Sequence, residues 1–497
     1  DAQVRNPGGN IDLTEISIHP VSFRLAENPF SLTADIQTPV SDPDFTAEAK
    51  GVLNLGMIKQ VYPLDDMELN GTVRADMTMA GHLSYIEKEQ YDRFSASGTI
   101  ALSDMKLKMK EMPDVEIKKS LFTFTPKYLQ LSETTVAIGK NDLTADCRFE
   151  NYMGYALKRG TLKGVLNVRS NHLNLNDFMT ATTDSTAQTS QASSTEETAS
   201  MIEVPQNIDF QMDAGLKEVL FDKMTFTNMN GKLIVKDGKV DMTNLSMNTM
   251  GGSVVMNGYY STADPKKPEM NAGFRMENIG FAQAYKALDM VQQMAPIFEN
   301  LKGNFSGNMH IRTLLDNQMS PVMDTMQGNG SLSTQDLSLS GVKVIDQIAE
   351  AVKKPELKEM KVKDMALDFT IKDGRVSTKP FDIKLGDYVM NLSGSTGLDQ
   401  TIDYSGKIKL PASAGDIAKL TTLDLKIGGT FSSPKVSLDT KSMTNQAVEA
   451  VTDKAISEIG KKLGLDSATT ANKDSVKEKV KEKAVEKALD FLKKKIK

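Results

Sequence analysis

The groups best suited to acid–base or metal chemistry are four histidines, His19, His82, His172 and His310, and they lie far apart. No two have the spacing of a zinc site, and the H-E-x-x-H pattern that sets two imidazoles on one helical face is absent. The G-x-S-x-G nucleophile elbow and the phosphate-cradling P-loop are absent as well. Asp237-Gly238 and Asp373-Gly374 each follow a lysine, but neither is followed by the oxygen ligands of a calcium loop. Carboxylates are numerous, yet no spacing singles out a pair for acid–base work. Cys147 is the single cysteine and cannot close an internal disulfide, which suits the cytosol and equally a bacterial periplasm. These residues predict no enzyme, no metal site and no cofactor.

The patterned residues are apolar. Asp-Gly is a two-residue hairpin signal, because a type I′ turn needs φ > 0 at both central positions. A turn at Asp373-Gly374 pairs Lys372 with Arg375, Ile371 with Val376, Thr370 with Ser377 and Phe369 with Thr378. Leu367, Phe369, Ile371 and Val376 then share one face, and Asp368, Lys372, Arg375 and Lys379 the other. The alternation runs on through Phe381, Ile383 and Leu385, then Tyr388, Met390 and Leu392, then Ile402, Tyr404, Ile408 and Leu410. The turn at Asp237-Gly238 repeats it, with Leu233, Val235, Val240 and Met242 on the apolar side. Such a sheet has one wet face and one apolar face. The apolar residues of both hairpin runs are the candidate lining of a lipid groove. The 29 methionines fit core filling, or a surface that adapts to varied apolar ligands.

The elements that must position this face are short strands punctuated by Gly, Asn and Asp. They divide the chain into a first β segment, 1–179, and a second, 201–440. Between them, 180–200 has only Ala as an apolar type and is expected to be a disordered Ser/Thr-rich loop. The two segments repeat each other at an offset of 232: Gly71 with Gly303, Met77 with Met309, Gly98 with Gly330, Asp104 with Asp336 and Leu107 with Leu339. A second pattern, strands leading to a helix-like cap, begins near Phe122, Gly231 and Leu367. Self-similarity of this kind indicates stacked β units that cannot bury their faces alone. Helices are expected only at Phe281 to Asn300, interrupted at Pro296, and at Val342 to Lys353, too few to cover such a sheet.

The final stretch, 441–497, has helical periodicity. Within it, 473–497 carries ten Lys and five acidic residues, a net of +5 in a chain of net −6. Lys493, Lys494, Lys495 and Lys497 are candidates for contact with an anionic membrane surface. Packing on the β body and binding of a partner protein are the other roles open to this helix. The acidic balance argues against nucleic acid as a partner, and no run of 18 apolar residues offers a spanning helix.

The run GNGSLSTQDLSLSGVKVIDQIAEAV, then MALDFTIKDGRVSTKPFDIKLGDYVMNLSGSTGLDQTIDYSGKIKLP, resembles the C-terminal region of the AsmA family. The shared features are a G-x-G strand at Gly328 and Gly330, a strand and helix over 336–352, a hairpin over 369–376 and a meander over 392–404. LKIGGTFSSPKVSLD is similar to the family's final strand pair. The AsmA-like region is about 321–440. The resemblance implies a periplasmic envelope protein of Gram-negative bacteria, anchored at the inner membrane by a segment absent from this chain. It further implies a long β groove that carries phospholipid between membranes in support of outer-membrane biogenesis.

The expected fold is therefore mostly β: an elongated, curved antiparallel sheet of repeated β units forming an apolar groove, with few short helices and C-terminal amphipathic helices. The expected function is non-enzymatic phospholipid binding and transfer. The alternatives are a scaffold for outer-membrane protein assembly acting through exposed strand edges, and a closed β-solenoid whose apolar face is simply core.

Overall fold

The computed structural model describes residues 2–25, 28–60, 67–88, 90, 93–109, 113–156, 160–181, 202–339, 341–351, 355–359, 361–362, 365–409 and 422–439. Over these the chain is mostly β, with 25 strands and six short helices. The strands are β1 (Ala2–Arg5), β2 (Glu15–Leu25), β3 (Asn28–Gln37), β4 (Asp44–Asn54), β5 (Met67–His82), β6 (Ser95–Met109), β7 (Val115–Phe124), β8 (Tyr128–Ile138), β9 (Asn141–Glu150), β10 (Leu162–Ser170), β11 (Leu173–Asn174), β12 (Ile208–Phe221), β13 (Met224–Lys236), β14 (Lys239–Thr249), β15 (Gly252–Ser261), β16 (Glu269–Gly280), β17 (Leu301–Leu314), β18 (Gln327–Leu339), β19 (Lys361–Val362), β20 (Ala366–Lys372), β21 (Arg375–Leu385), β22 (Tyr388–Gly397), β23 (Ile402–Lys409), β24 (Thr422–Gly429) and β25 (Pro434–Asp439). The helices are α1 (Leu83–Glu87), α2 (Tyr152–Ala156), α3 (Asn176–Ala181), α4 (Phe281–Ala287), α5 (Asp289–Met294) and α6 (Lys343–Ala351).

The chain forms two compact units. One contains Asp1–Thr249, Val255–Ala272 and Leu314–Ser320; the other contains Met250–Val254, Gly273–Thr313 and Pro321–Lys497. In the first unit β1 to β10 pair antiparallel in chain order. β10 then pairs parallel with β12, and β12, β13 and β14 continue antiparallel. The two-residue β11 pairs parallel with β12 as well, and these parallel joins depart from the all-antiparallel expectation. After the segment 171–207, Ile208 at the start of β12 pairs with Leu162 at the start of β10, so the two strands run in the same sense. Of that segment, 182–201 lies outside the described residues. In the second unit β17, β18, β20, β21, β22, β23, β24 and β25 form an antiparallel meander.

Local sequence decides these registers. Asp237 and Gly238 have φ of 51° and 73°, and Asp373 and Gly374 have 51° and 68°, as the type I′ reading requires. Lys372 faces Arg375 and Phe369 faces Thr378, the pairing expected from the turn. The offset of 232 holds strand against strand. Leu69 pairs with Leu107 and Met77 with Gly98; Leu301 pairs with Leu339 and Met309 with Gly330. Both pairs also carry a bulge at the matching glycine, Gly71 with φ 119° and Gly303 with φ 111°. A Cβ on Gly71 would stand 2.6 Å from Met105 Cα, so the bulge requires glycine.

The stretch from Phe281 to Asn300 divides more finely than its one proline suggests. α4 ends at Leu288 (φ −121°, ψ 106°), α5 ends at Ala295 (φ −140°, ψ 56°), and a 3₁₀ turn follows from Pro296. None of the three has a side-chain cap at its start. Their amphipathic faces are instead held by packing: Phe281, Phe298 and Phe305 form a ring cluster with centroids 4.7 to 5.6 Å apart. The helix expected from Val342 is α6, and 352–354 lie outside the described residues.

Candidate functional site

Polar candidates come first, because two histidines have carboxylate neighbours that the sequence did not bring together. His82 lies with Nδ1 3.5 Å from Asp42 Oδ2 and Nε2 3.5 Å from Asp44 Oδ2. Asp42 is already engaged: Ser84 donates to it from N at 2.9 Å and from Oγ at 2.8 Å, capping the first turn of α1. Burial alone would raise the Asp42 carboxyl; the Ser84 hydrogen bonds, then the charges of His82 and Lys88, hold it below the usual carboxylate range. His172 Nδ1 is 2.6 Å from Glu218 Oε2, while Asp142 accepts bonds from Asn171 and His172 N–H groups in the same turn. These carboxylates organise turns and a helix start. Among the described residues no group of three His, Cys, Asp or Glu is arranged to hold a metal.

The apolar face is built by direct cross-strand pairing. In the first unit one row runs Phe30, Gly51, Ala75, Ile100, Phe122, Leu131, Cys147, Leu166, Met212, Leu233, Met242, one residue from each of eleven strands. Two residues along, a second runs Leu32, Ala49, Met77, Gly98, Phe124, Leu129, Phe149, Gly164, Phe210, Val235, Val240. Because paired residues share a face, each row is continuous whatever the bulges do elsewhere. The row between them is on the opposite face and reads Ser31, Lys50, Asp76, Thr99, Thr123, Gln130, Arg148, Val165, Gln211, Ile234, Asp241.

Of the two apolar rows only Ala75, Cys147 and Gly164 are fully buried; every other member keeps partial exposure. Helices α1, α2 and α3 have five, five and six residues and cover little of eleven strands. α1 and α2 roof one end, where Met79, Ile86, Phe94 and Ala96 form a core with Phe45, Met77, Phe124, Tyr152 and Met153 against it. Burial pushes the Cys147 thiol up to about 11, with the Asp146 charge adding to the effect.

The second unit treats its apolar face differently. Ile371, Leu385, Met390, Leu392, Ile402 and Ile408 are buried. Phe369, Val376, Phe381, Ile383, Tyr388 and Tyr404 are half-buried. Met290 and Met294 on α5, with Met323 and Met326, pack over Ile311, Phe369, Ile371 and Val376. Five methionines in one cluster, counting Met309, make a soft roof over this part of the sheet. Leu233, Val235, Val240 and Met242 are half-buried members of the first unit's rows. Leu410, Lys493, Lys494, Lys495 and Lys497 lie outside the described residues.

On its polar face this unit has a trough of about 780 Å³ bordered by Arg275, Glu277, Asn308, Ser331, Asp368 and Lys379, with Lys379 Nζ 3.3 Å from Asp368 Oδ2. The sheet edge at β25 is occupied: Gln347 Nε2 donates to Pro434 O at 3.0 Å, and Val436 N donates to Gln347 Oε1 at 3.2 Å. No described helix is long and apolar enough to cross a membrane. Sequence reasoning found the four row members beside Asp237-Gly238 and missed the eighteen before them. The cross-strand pairing that joins them was the needed signal, and bulges at Gly71, Lys118 and Glu133 break the simple alternation. Comparison with known protein families, with curated proteins and with solved structures finds no match.

Proposed function

We propose that the protein binds phospholipid acyl chains along the apolar rows of its sheet and passes lipid between the two membranes of a Gram-negative envelope. The observation that carries the reading is the pair of eleven-strand rows, partly exposed and, among the described residues, without a second layer over most of their length. An acyl chain loses about 0.8 kcal/mol for each CH₂ exposed to water, so ~16 carbons cost on the order of 10 kcal/mol. At ~4.8 Å per strand the rows follow the sheet for ~48 Å. An acyl chain fills about half of a ~30 Å hydrocarbon core, so the rows offer about three chain lengths. Chains on the apolar face leave headgroups free at the rim, and the reading involves no covalent step.

The envelope setting, periplasmic and tied to the inner membrane, is proposed from the AsmA-like residues. The Lys-rich tail supplies a second contact with a membrane surface in this reading. A scaffold that recruits outer-membrane proteins by strand addition is the alternative. It would use the β1 edge, since Gln347 occupies that of β25.

Leu166 and Val165 test the reading. They are neighbours on β10, Leu166 in the apolar row and Val165 54% exposed on the other face. Leu166→Asp should fold yet lose co-purifying phospholipid, measured by extraction and mass spectrometry, and lose transfer between vesicles. Val165→Asp should keep both. Wild-type lipid content and transfer in folded Leu166→Asp would favour the scaffold.

A further inference from the structure

In the second row Gly164 sits between Phe149 and Phe210, paired to one on each side. A Cβ at 164 would stand 2.9 Å from Phe210 Cδ1 and 3.0 Å from Phe149 Cδ1. The rings therefore lie in the space that the missing side chain leaves. Their centroids are 5.7 Å apart and their planes 53° to each other, too close for a chain to pass between them. A ligand following the row must pass over the rings. The backbone gives no reason for glycine here: Gly164 is not among the positive-φ residues. The position is reserved by space alone, as in strands where another group approaches closely.

Resting on the lipid reading above, we infer that Phe149, Gly164 and Phe210 set the clearance of the path and select for unbranched acyl chains. With nothing at 164 the rings lie low and a slim chain clears them. A side chain at 164 lifts both rings into the path. Methyl branches on the ligand consume the same clearance from the other side.

The test compares transfer of palmitoyl-oleoyl and diphytanoyl phosphatidylethanolamine between vesicles by the full chain. Wild type should move the straight-chain lipid at least tenfold faster. Gly164→Ala should slow that transfer about tenfold. Phe149→Leu, which thins one ring, should bring the two lipids to similar rates. Gly215→Ala is the control on the wet face, where the atoms nearest the new methyl belong to the flexible Arg169 side chain, at 2.9 to 3.3 Å; it should match wild type. Aromatic rings over strand glycines also steady sheets, so melting is followed alongside; a purely structural role would shift melting and leave the ratio between lipids unchanged. An unchanged ratio in Phe149→Leu, or Gly164→Ala transferring at the wild-type rate, overturns the inference. Absence of transfer by the wild type would instead overturn the lipid reading itself.

Discussion

Cys147 shows how much a residue's meaning depends on its row. In the sequence it is a lone thiol, informative only for the disulfide it cannot form. In the fold it stands between Leu131 and Leu166 on the apolar face. Burial at this point of the row pushes its thiol to about 11 from an ordinary 9.0, with the Asp146 charge adding to the effect. Only the thiolate reacts. Alkylation by a small uncharged reagent should climb about tenfold per pH unit from pH 8 and level off near pH 11 in the folded protein. In urea it should level off near pH 9. A plateau at pH 9 in the folded state would mean that water reaches the row. The same shift links to stability: the folded state's advantage is intact below pH 9 and declines as pH rises from 9 through 11, because the unfolded chain loses the proton first.

Elements show where pattern reading works and where it stops. The two Asp-Gly hairpins and the 232-residue repeat were legible because each rests on a local rule, positive φ in a two-residue turn or glycine in a bulge. The parallel join of β10 with β12 was not, because nothing local distinguishes a strand that pairs with its parallel neighbour. Nor was the edge seat at Gln347, where a side-chain amide takes the place of a strand peptide unit 87 residues away in sequence from Pro434. Unsatisfied edges pair with other chains. Gln347→Ala should cost about 1 kcal/mol from the lost hydrogen bonds and should produce concentration-dependent self-association in sedimentation velocity. A monomer at all concentrations would show that α6 itself, not the amide, shields β25.

At the scale of the molecule, the candidate lining named from sequence was densest in the second unit, whereas the rows that the described helices leave longest uncovered are in the first. Repetition and alternation reveal which face is apolar; they do not reveal what lies over it, because the methionines of α5 and of the 323–326 turn reach Ile371 from distant parts of the chain. The Lys-rich stretch 473–497 belongs to this scale too. Removing it should abolish association with anionic vesicles, an association that should weaken with salt as the charges are screened, while the β melting transition stays in place. Equal vesicle binding with and without it would set the membrane role aside. The rows themselves carry a kinetic consequence. A ligand held only by dispersion and water exclusion gains little by stopping at one strand rather than the next. On the lipid reading proposed above, its progress is a one-dimensional random walk from strand to strand, with the rings at Gly164 as the slow step that sets the crossing time. Such a walk has no direction of its own. On the same reading, net flow should follow the difference in lipid chemical potential between the two ends, and reversing that difference should reverse the traffic.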